Sequence, residues 1–277
     1  MKHVLFILWF VFASTIAAHC QVTADNQVDV ELVLAVDVSG SMSPTELRIQ
    51  RRGYAEALKS DEVWNAIDRG LIGSIAVMYV EWAFYDLQKV IVPWTKISRR
   101  QDAHDFADRL LNAEYANMQN TSIVGAIRFG AEQLETNDWY GLRRVVDISG
   151  DGPNNQGGLV TSARDAAVDA GIIINGLPIV VTGQVRGRGS FTGDLSEYYE
   201  SCVIGGPGSF VIPVTRWEEF GEAVRRKLVW ELAEVAPAHL VVQANFNPAT
   251  DYDCEIGEKL SGSWQSENYN GRGVNQN

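Results

Sequence analysis

The residues best placed to do chemistry lie in a short run, Asp37-Val38-Ser39-Gly40-Ser41, directly after an apolar stretch. In an extended segment, positions i, i+2 and i+4 point the same way, so one carboxylate and two hydroxyls converge. Gly40 lets the turn be tight. Hard oxygen donors without nitrogen or sulfur suit Mg²⁺, with Mn²⁺ or Ca²⁺ also possible. The plainer reading is a strand-to-helix turn in which Asp and Ser cap backbone amides. Two further places bear on the choice. Asp151-Gly152 follows a second apolar run, Arg144 to Ile148, and Thr121 opens the helical stretch TSIVGAIRFGAEQL. Taken singly, Thr121 reads as a helix N-cap and Asp151 as a turn residue before glycine.

These residues need a scaffold, and the pattern around them supplies one. Val28 to Val36 is a β-branched run expected to form a buried strand. Ser43-Pro44-Thr45-Glu46 is a capping box with proline at the first helical position, which starts a helix running to about Leu58. Further strands are expected over Gly73–Trp82, Gln88–Trp94 and Arg144–Ile148, the first two forming an antiparallel pair. Ile172–Ile174 with Leu177–Val180 reads as a strand broken at Asn175-Gly176, and Phe210–Pro213 as a short last one. Helices are expected over Asp102–Leu111, Ser122–Leu134, Gly158–Ala170 and Trp217–Leu232. Such alternation predicts an α/β, doubly wound, mostly parallel sheet with one antiparallel edge strand and helices on both faces. In these sheets ligands bind beyond the carboxyl ends of the strands where strand order reverses. Val36 and Ile148 are therefore the strand ends to watch.

The three pieces, Asp-x-Ser-Gly-Ser, a Thr followed five residues later by Ala, and a strand ending in Asp-Gly, together resemble the von Willebrand factor type A (vWA) domain. The resemblance covers roughly Asp29 to Glu234. It implies a metal-ion-dependent adhesion site with Asp37, Ser39, Ser41, Thr121 and Asp151 as ligands and one coordination position left for a carboxylate of a protein partner. Two departures stand out: glycine precedes Asp151, where the family usually has Thr or Ser, and Asn120 replaces a glycine-rich lead into Thr121. Asp147, the Gly205–Phe210 turn and Cys254 are also similar to a bacterial exported vWA-like family of unknown function.

Other function classes are less well served. A formal charge of -12, from 35 Asp+Glu against 23 Lys+Arg, repels phosphate backbones and anionic lipid. G-x-S-x-G, S-x-x-K and P-loop sequences are absent from the chain. Mg²⁺-dependent phosphoryl transfer remains an alternative, but Lys and Arg are sparse near these loops, Arg48 being among the nearest in sequence. A structural vWA fold without metal is the other alternative.

Residues 1–20 read as a secretory signal peptide: Lys2 and His3, then an apolar run from Val4 to Ile16, then Ala17 and Ala18. That run of 13 residues is short for a membrane span, so no span is expected after cleavage and the mature chain is expected in the periplasm or secreted. If Cys20 leaves with the leader, Cys202 and Cys254 form an even pair in an oxidising compartment, and a disulfide is expected to tie an extension over 236–260 to the 28–235 domain. Two buried thiols are the alternative. Residues 261–277 are polar and Gly/Asn/Ser-rich, with a disordered tail expected. Of Trp82, Tyr85, Trp94 and Trp139, most are expected in the core rather than on a binding face.

Overall fold

A computed structural model describes residues 24–115, 120–181, 193–233 and 252–262. The expected leader and nearly all of the expected tail lie outside these. The chain order is β1 (Gln27–Asp37), α1 (Pro44–Lys59), α2 (Asp61–Asp68), β2 (Ile75–Trp82), β3 (Gln88–Ile97), α3 (Arg100–Asn112), α4 (Ile123–Thr136), β4 (Tyr140–Gly150), α5 (Val160–Asp169), β5 (Ile172–Pro178), α6 (Leu195–Tyr198) and α7 (Phe220–Leu232). The five strands order as β3-β2-β1-β4-β5, parallel except for β3, which runs antiparallel at one edge. Edge position is what allows Pro93 inside β3, since proline cannot donate to a neighbouring strand on both sides.

Strand β1 is central and buried on both faces because its side chains alternate between two cores. Val30, Leu32, Leu34 and Val36 pack with residues of α1, α3 and α7, whereas Val33 and Ala35 pack with α4 and α5. Helix α1 starts as its sequence demands: Glu46 N–H donates to Ser43 Oγ, and Ser43 N–H donates to Glu46 Oε2. Ser60 then closes α1 and caps α2, a helix the sequence reading did not anticipate.

Three expectations need correction. Strand β5 is continuous through Asn175 and Gly176. The Asn175 amide donates to Glu231 Oε1 at 3.0 Å and its oxygen accepts from Phe210 N–H at 3.1 Å, which satisfies a polar side chain that otherwise argues against a buried strand. The segment around Phe210–Pro213 forms no strand but lies along β5 and its following residue through isolated bridges, Gly176 with Val211 and Ile179 with Val214. Pro213 has no N–H to extend the ladder. The first two residues of the expected tail, Ser261 and Gly262, are helical.

Between β4 and α7 the core holds charge. Lys227 Nζ lies 2.6 Å from Asp147 Oδ1 and also pairs with Glu231, all three side chains being essentially without exposure. Burial, and then the Glu231 charge, push the Asp147 carboxyl up to about 7 despite the pull of Lys227. A carboxyl raised in the folded state binds its proton more tightly there than in the unfolded chain. Its contribution is therefore greatest below the ordinary carboxyl range and is lost as pH rises from about 4 to about 7. Facing it, besides Lys227 and Glu231, is Tyr54 from α1, whose hydroxyl burial and the Asp147 charge both raise. Asp147→Asn is expected to flatten that part of the stability profile, matching wild type at pH 4.5 and equalling or exceeding it at pH 8. Melting curves across the range check this, and a variant that loses stability more steeply than wild type over the window would refute it.

Candidate metal centre

Adjacent parallel strands β1 and β4 end side by side, with Val36 opposite Ser149. Their following residues, Asp37 and Asp151, thus emerge at the same point, where the chain turns toward opposite halves of the sheet. Gln50 of α1 anchors the end of β1 by donating to the Asp37 carbonyl at 3.0 Å. The turn closes when Ser39 N–H donates to Asp37 Oδ1 at 2.7 Å and Met42 N–H to the Ser39 carbonyl.

Hydroxyls then join the two carboxylates. Ser39 Oγ lies 3.1 Å from Ser41 Oγ, which donates to Asp151 Oδ1 at 2.7 Å. Asp37, Ser39, Thr121 and Asp151 are buried, while Ser41 sits at the surface. Asp37 Oδ2 is enclosed and accepts no hydrogen bond. Burial, and then the Asp151 charge, hold the Asp37 carboxyl well above the ordinary range. Two crowded acids with an unsatisfied oxygen and serine hydroxyls beside them form a donor set suited to a hard divalent cation. Among the described residues no group of three His, Cys, Asp or Glu side chains is placed to hold a metal ion, so the set depends on hydroxyl oxygens beside its two acids.

Thr121 reaches the same end of the sheet through a different device. The cap of α4 is Ser122, whose Oγ accepts from Gly125 N–H at 3.1 Å, so Thr121 is not the N-cap its position suggested. Thr121 N–H donates to Asn155 Oδ1 at 3.2 Å and its carbonyl accepts from Asn155 N–H at 3.0 Å. This double contact locks Thr121 to the loop that follows Asp151. Asn120 has φ of 64°, a left-handed conformation asparagine tolerates, and so stands in for the glycine lead.

The other departure also has a physical cause. A Cβ at position 150 would lie 2.9 Å from Tyr199 Oη and 3.0 Å from Asp37 Oδ2. Glycine before Asp151 therefore admits the Tyr199 hydroxyl beside the acid. Burial, then Asp37, raise that hydroxyl above its ordinary range. Nothing near residue 37 or 151 in sequence signals Tyr199. Of the four aromatics considered, Trp82 is fully buried. Tyr85 is exposed beside the site loops, its N–H donating to Gln156 Oε1 and its Oη accepting from Arg128 at 2.7 Å.

The family described as "Protein of unknown function (DUF1194)" matches residues 27–236. Among solved structures, the chain is similar to the pilus adhesin SpaC from Lactobacillus rhamnosus GG, at 12% identity and a TM-score of 0.51, covering 74% of this chain and 31% of that one. Proximal thread matrix protein 1 from the mussel byssus is similar at 13% identity and 0.50, covering 76% of this chain and 48% of that one. A von Willebrand factor type A protein from Catenulispora acidiphila is similar at 13% identity and 0.47, covering 74% and 43%. No curated protein matches. The chain spans less than half of each of these three. Sheet order, helix placement and the first two likenesses show the doubly wound α/β fold that the resemblance to the vWA domain implied. The chain belongs to the DUF1194 family.

The expected pairing of Cys202 with Cys254 is present, with 5.6 Å between the Cα atoms. Closing a loop with a separation of 52 residues is worth about 4 kcal/mol on chain-entropy reasoning. No helix among the described residues is long and apolar enough to cross a membrane.

Proposed function

We propose that this is an exported domain that binds a partner protein through Mg²⁺, with Mn²⁺ or Ca²⁺ as possible substitutes, held by Asp37, Ser39, Ser41, Thr121 and Asp151. The observation that carries the reading is Asp37 Oδ2, an enclosed carboxyl oxygen without a hydrogen-bond partner, in a group whose ionisation burial and the Asp151 charge both oppose. A buried acid left in this state costs stability unless a cation answers it. When bound, Mg²⁺ would neutralise both acids and offer a position to a carboxylate of the partner. Asp37 and Asp151 would supply the charge, Ser39 and Ser41 the neutral oxygens from one loop, and Thr121 an oxygen from the start of α4. A metal-binding role accords with the description of another structure of the mussel protein as having a zinc-occupied MIDAS motif. The disulfide fits an oxidising compartment and so supports export. The reading assigns no enzymatic reaction to the chain.

Mg²⁺ titrated into chelator-stripped protein by calorimetry is expected to bind at one saturable site that Asp37→Ala abolishes, with both proteins folded by circular dichroism. Equal binding in the variant would refute the assignment of these residues. Absence of binding in wild type, also with acetate present as a carboxylate probe, would refute the metal reading.

A further inference from the structure

The C-terminal segment packs onto the loop that carries Asp151. Residues 256–262 form a short helical stretch just after Cys254. Gly257 is buried so tightly against the loop that a Cβ would lie 1.9 Å from the Asn154 carbonyl oxygen. Glu258 Oε1 accepts from Asn154 Nδ2 at 2.5 Å, and Ser261 Oγ donates to the Asn155 carbonyl at 3.4 Å. Tyr252 packs its ring on Tyr198, with centroids 6.2 Å apart, and Tyr198 Oη accepts from Asn154 N–H at 3.1 Å.

The same two asparagines also hold the start of α4, where Thr121 stands. Asn154 Oδ1 accepts from Val124 N–H in the first turn of α4, and Asn155 holds Thr121 by the two bonds described above. Asn154 and Asn155 are thus clamped between the C-terminal segment and the start of α4. A helix of this length has no stability of its own in water, because nucleation outweighs the few bonds gained. It stays on the loop because Cys202, fully buried in the turn after α6, holds Cys254 close and keeps its effective concentration high.

We propose that segment 252–262, tethered by Cys202–Cys254, sets the Asp151 loop and Thr121 in the arrangement that receives the cation, with Gly257 and Glu258 as positioning residues. This rests on the metal reading above. Residues behind metal ligands commonly change affinity by about 10–100-fold without touching the ion.

The test uses the mature chain with four changes: Gly257→Val, Glu258→Ala, Glu258→Gln and the pair Cys202→Ser with Cys254→Ser. Mg²⁺ affinity is read by calorimetry, and amide hydrogen exchange is followed over 151–158. Gly257→Val and the double serine variant are expected to weaken Mg²⁺ by about tenfold or more and to speed exchange in the loop. Glu258→Ala is expected to weaken it less, with Glu258→Gln, which keeps the acceptor oxygen, restoring wild-type affinity. Should the double serine variant not fold, Gly257→Val with its disulfide intact decides. Wild-type affinity in the variants, or unchanged exchange in the loop, would overturn the proposal. If wild type itself binds no Mg²⁺, the metal reading falls by itself. Exchange alone then judges the positioning role, faster exchange supporting it and unchanged exchange overturning it.

Discussion

Replacing Lys227 with methionine is expected to destabilise the folded protein by ~3–5 kcal/mol at pH 8, the usual cost of removing one partner from a buried ion pair. Methionine keeps the length and most of the volume of the lysine stem, so the loss reports charge rather than a cavity. What remains is Asp147 and Glu231, both fully buried, with no cation between them. Asp147 must then ionise against burial and the Glu231 charge, or fold protonated. The deficit should therefore shrink as pH falls, because protonation at pH 5 removes the uncompensated charge while wild type gains less from the same change. For a domain of this size the loss corresponds to a fall in Tm on the order of 10 °C. Denaturant titration at pH 5 and pH 8 makes the comparison. A variant as stable as wild type at pH 8, or one worse at pH 5 than at pH 8, would show that the cluster does not depend on Lys227 for its charge balance. Because α7 supplies Lys227 and Glu231 while β4 supplies Asp147, the cluster pins that helix to the strand that leads into Asp151.

How much of this was legible depended on whether the cause of a feature lay close to it in sequence. Strand β1 and the start of α1 are local: the apolar run from Val28 to Val36 has only Asp29 and Glu31 as polar residues to pair, and Ser43 and Glu46 satisfy each other within one turn. Asp37, Ser39 and Ser41 were readable for the same reason, as were the strand ends that bring Asp151 beside them. Helix α2 was missed because one residue, Ser60, both ends α1 and begins α2, leaving no loop to mark the boundary. The break expected in β5 failed because the partners of Asn175 come from α7 and from Phe210, remote along the chain. Lys227 reads as a surface residue on an amphipathic helix until β4 places Asp147 against it. The support from Gly257 and Glu258 was equally hidden, since a polar C-terminal stretch carries no periodicity that announces a buried contact.

Tyr199 is the clearest case of a long-range cause, and it yields the second large effect. Gly150 and Gly176 stand on neighbouring strands β4 and β5, and both make room for this one ring: a Cβ at 176 would lie 2.7 Å from Tyr199 Cδ1, and one at 150 would lie 2.9 Å from its Oη. Restoring the hydroxyl usual before Asp-Gly in the vWA pattern, by Gly150→Ser, is expected to cost about 1–3 kcal/mol, because the side chain must displace a fully buried ring or the Asp37 carboxylate. The same crowding of Asp37 should weaken Mg²⁺ binding. Tyr199→Phe alone is expected to cost little, as the hydroxyl it removes is buried without a hydrogen-bond partner. Combined, the two changes should recover part of the loss, with a coupling of roughly 0.5–3 kcal/mol between sites in contact. Chemical denaturation of the two single variants and the double variant measures that coupling. Strict additivity would mean that the Tyr199 hydroxyl does not occupy the space that the glycine leaves, and that the departure from the family pattern at residue 150 has another cause.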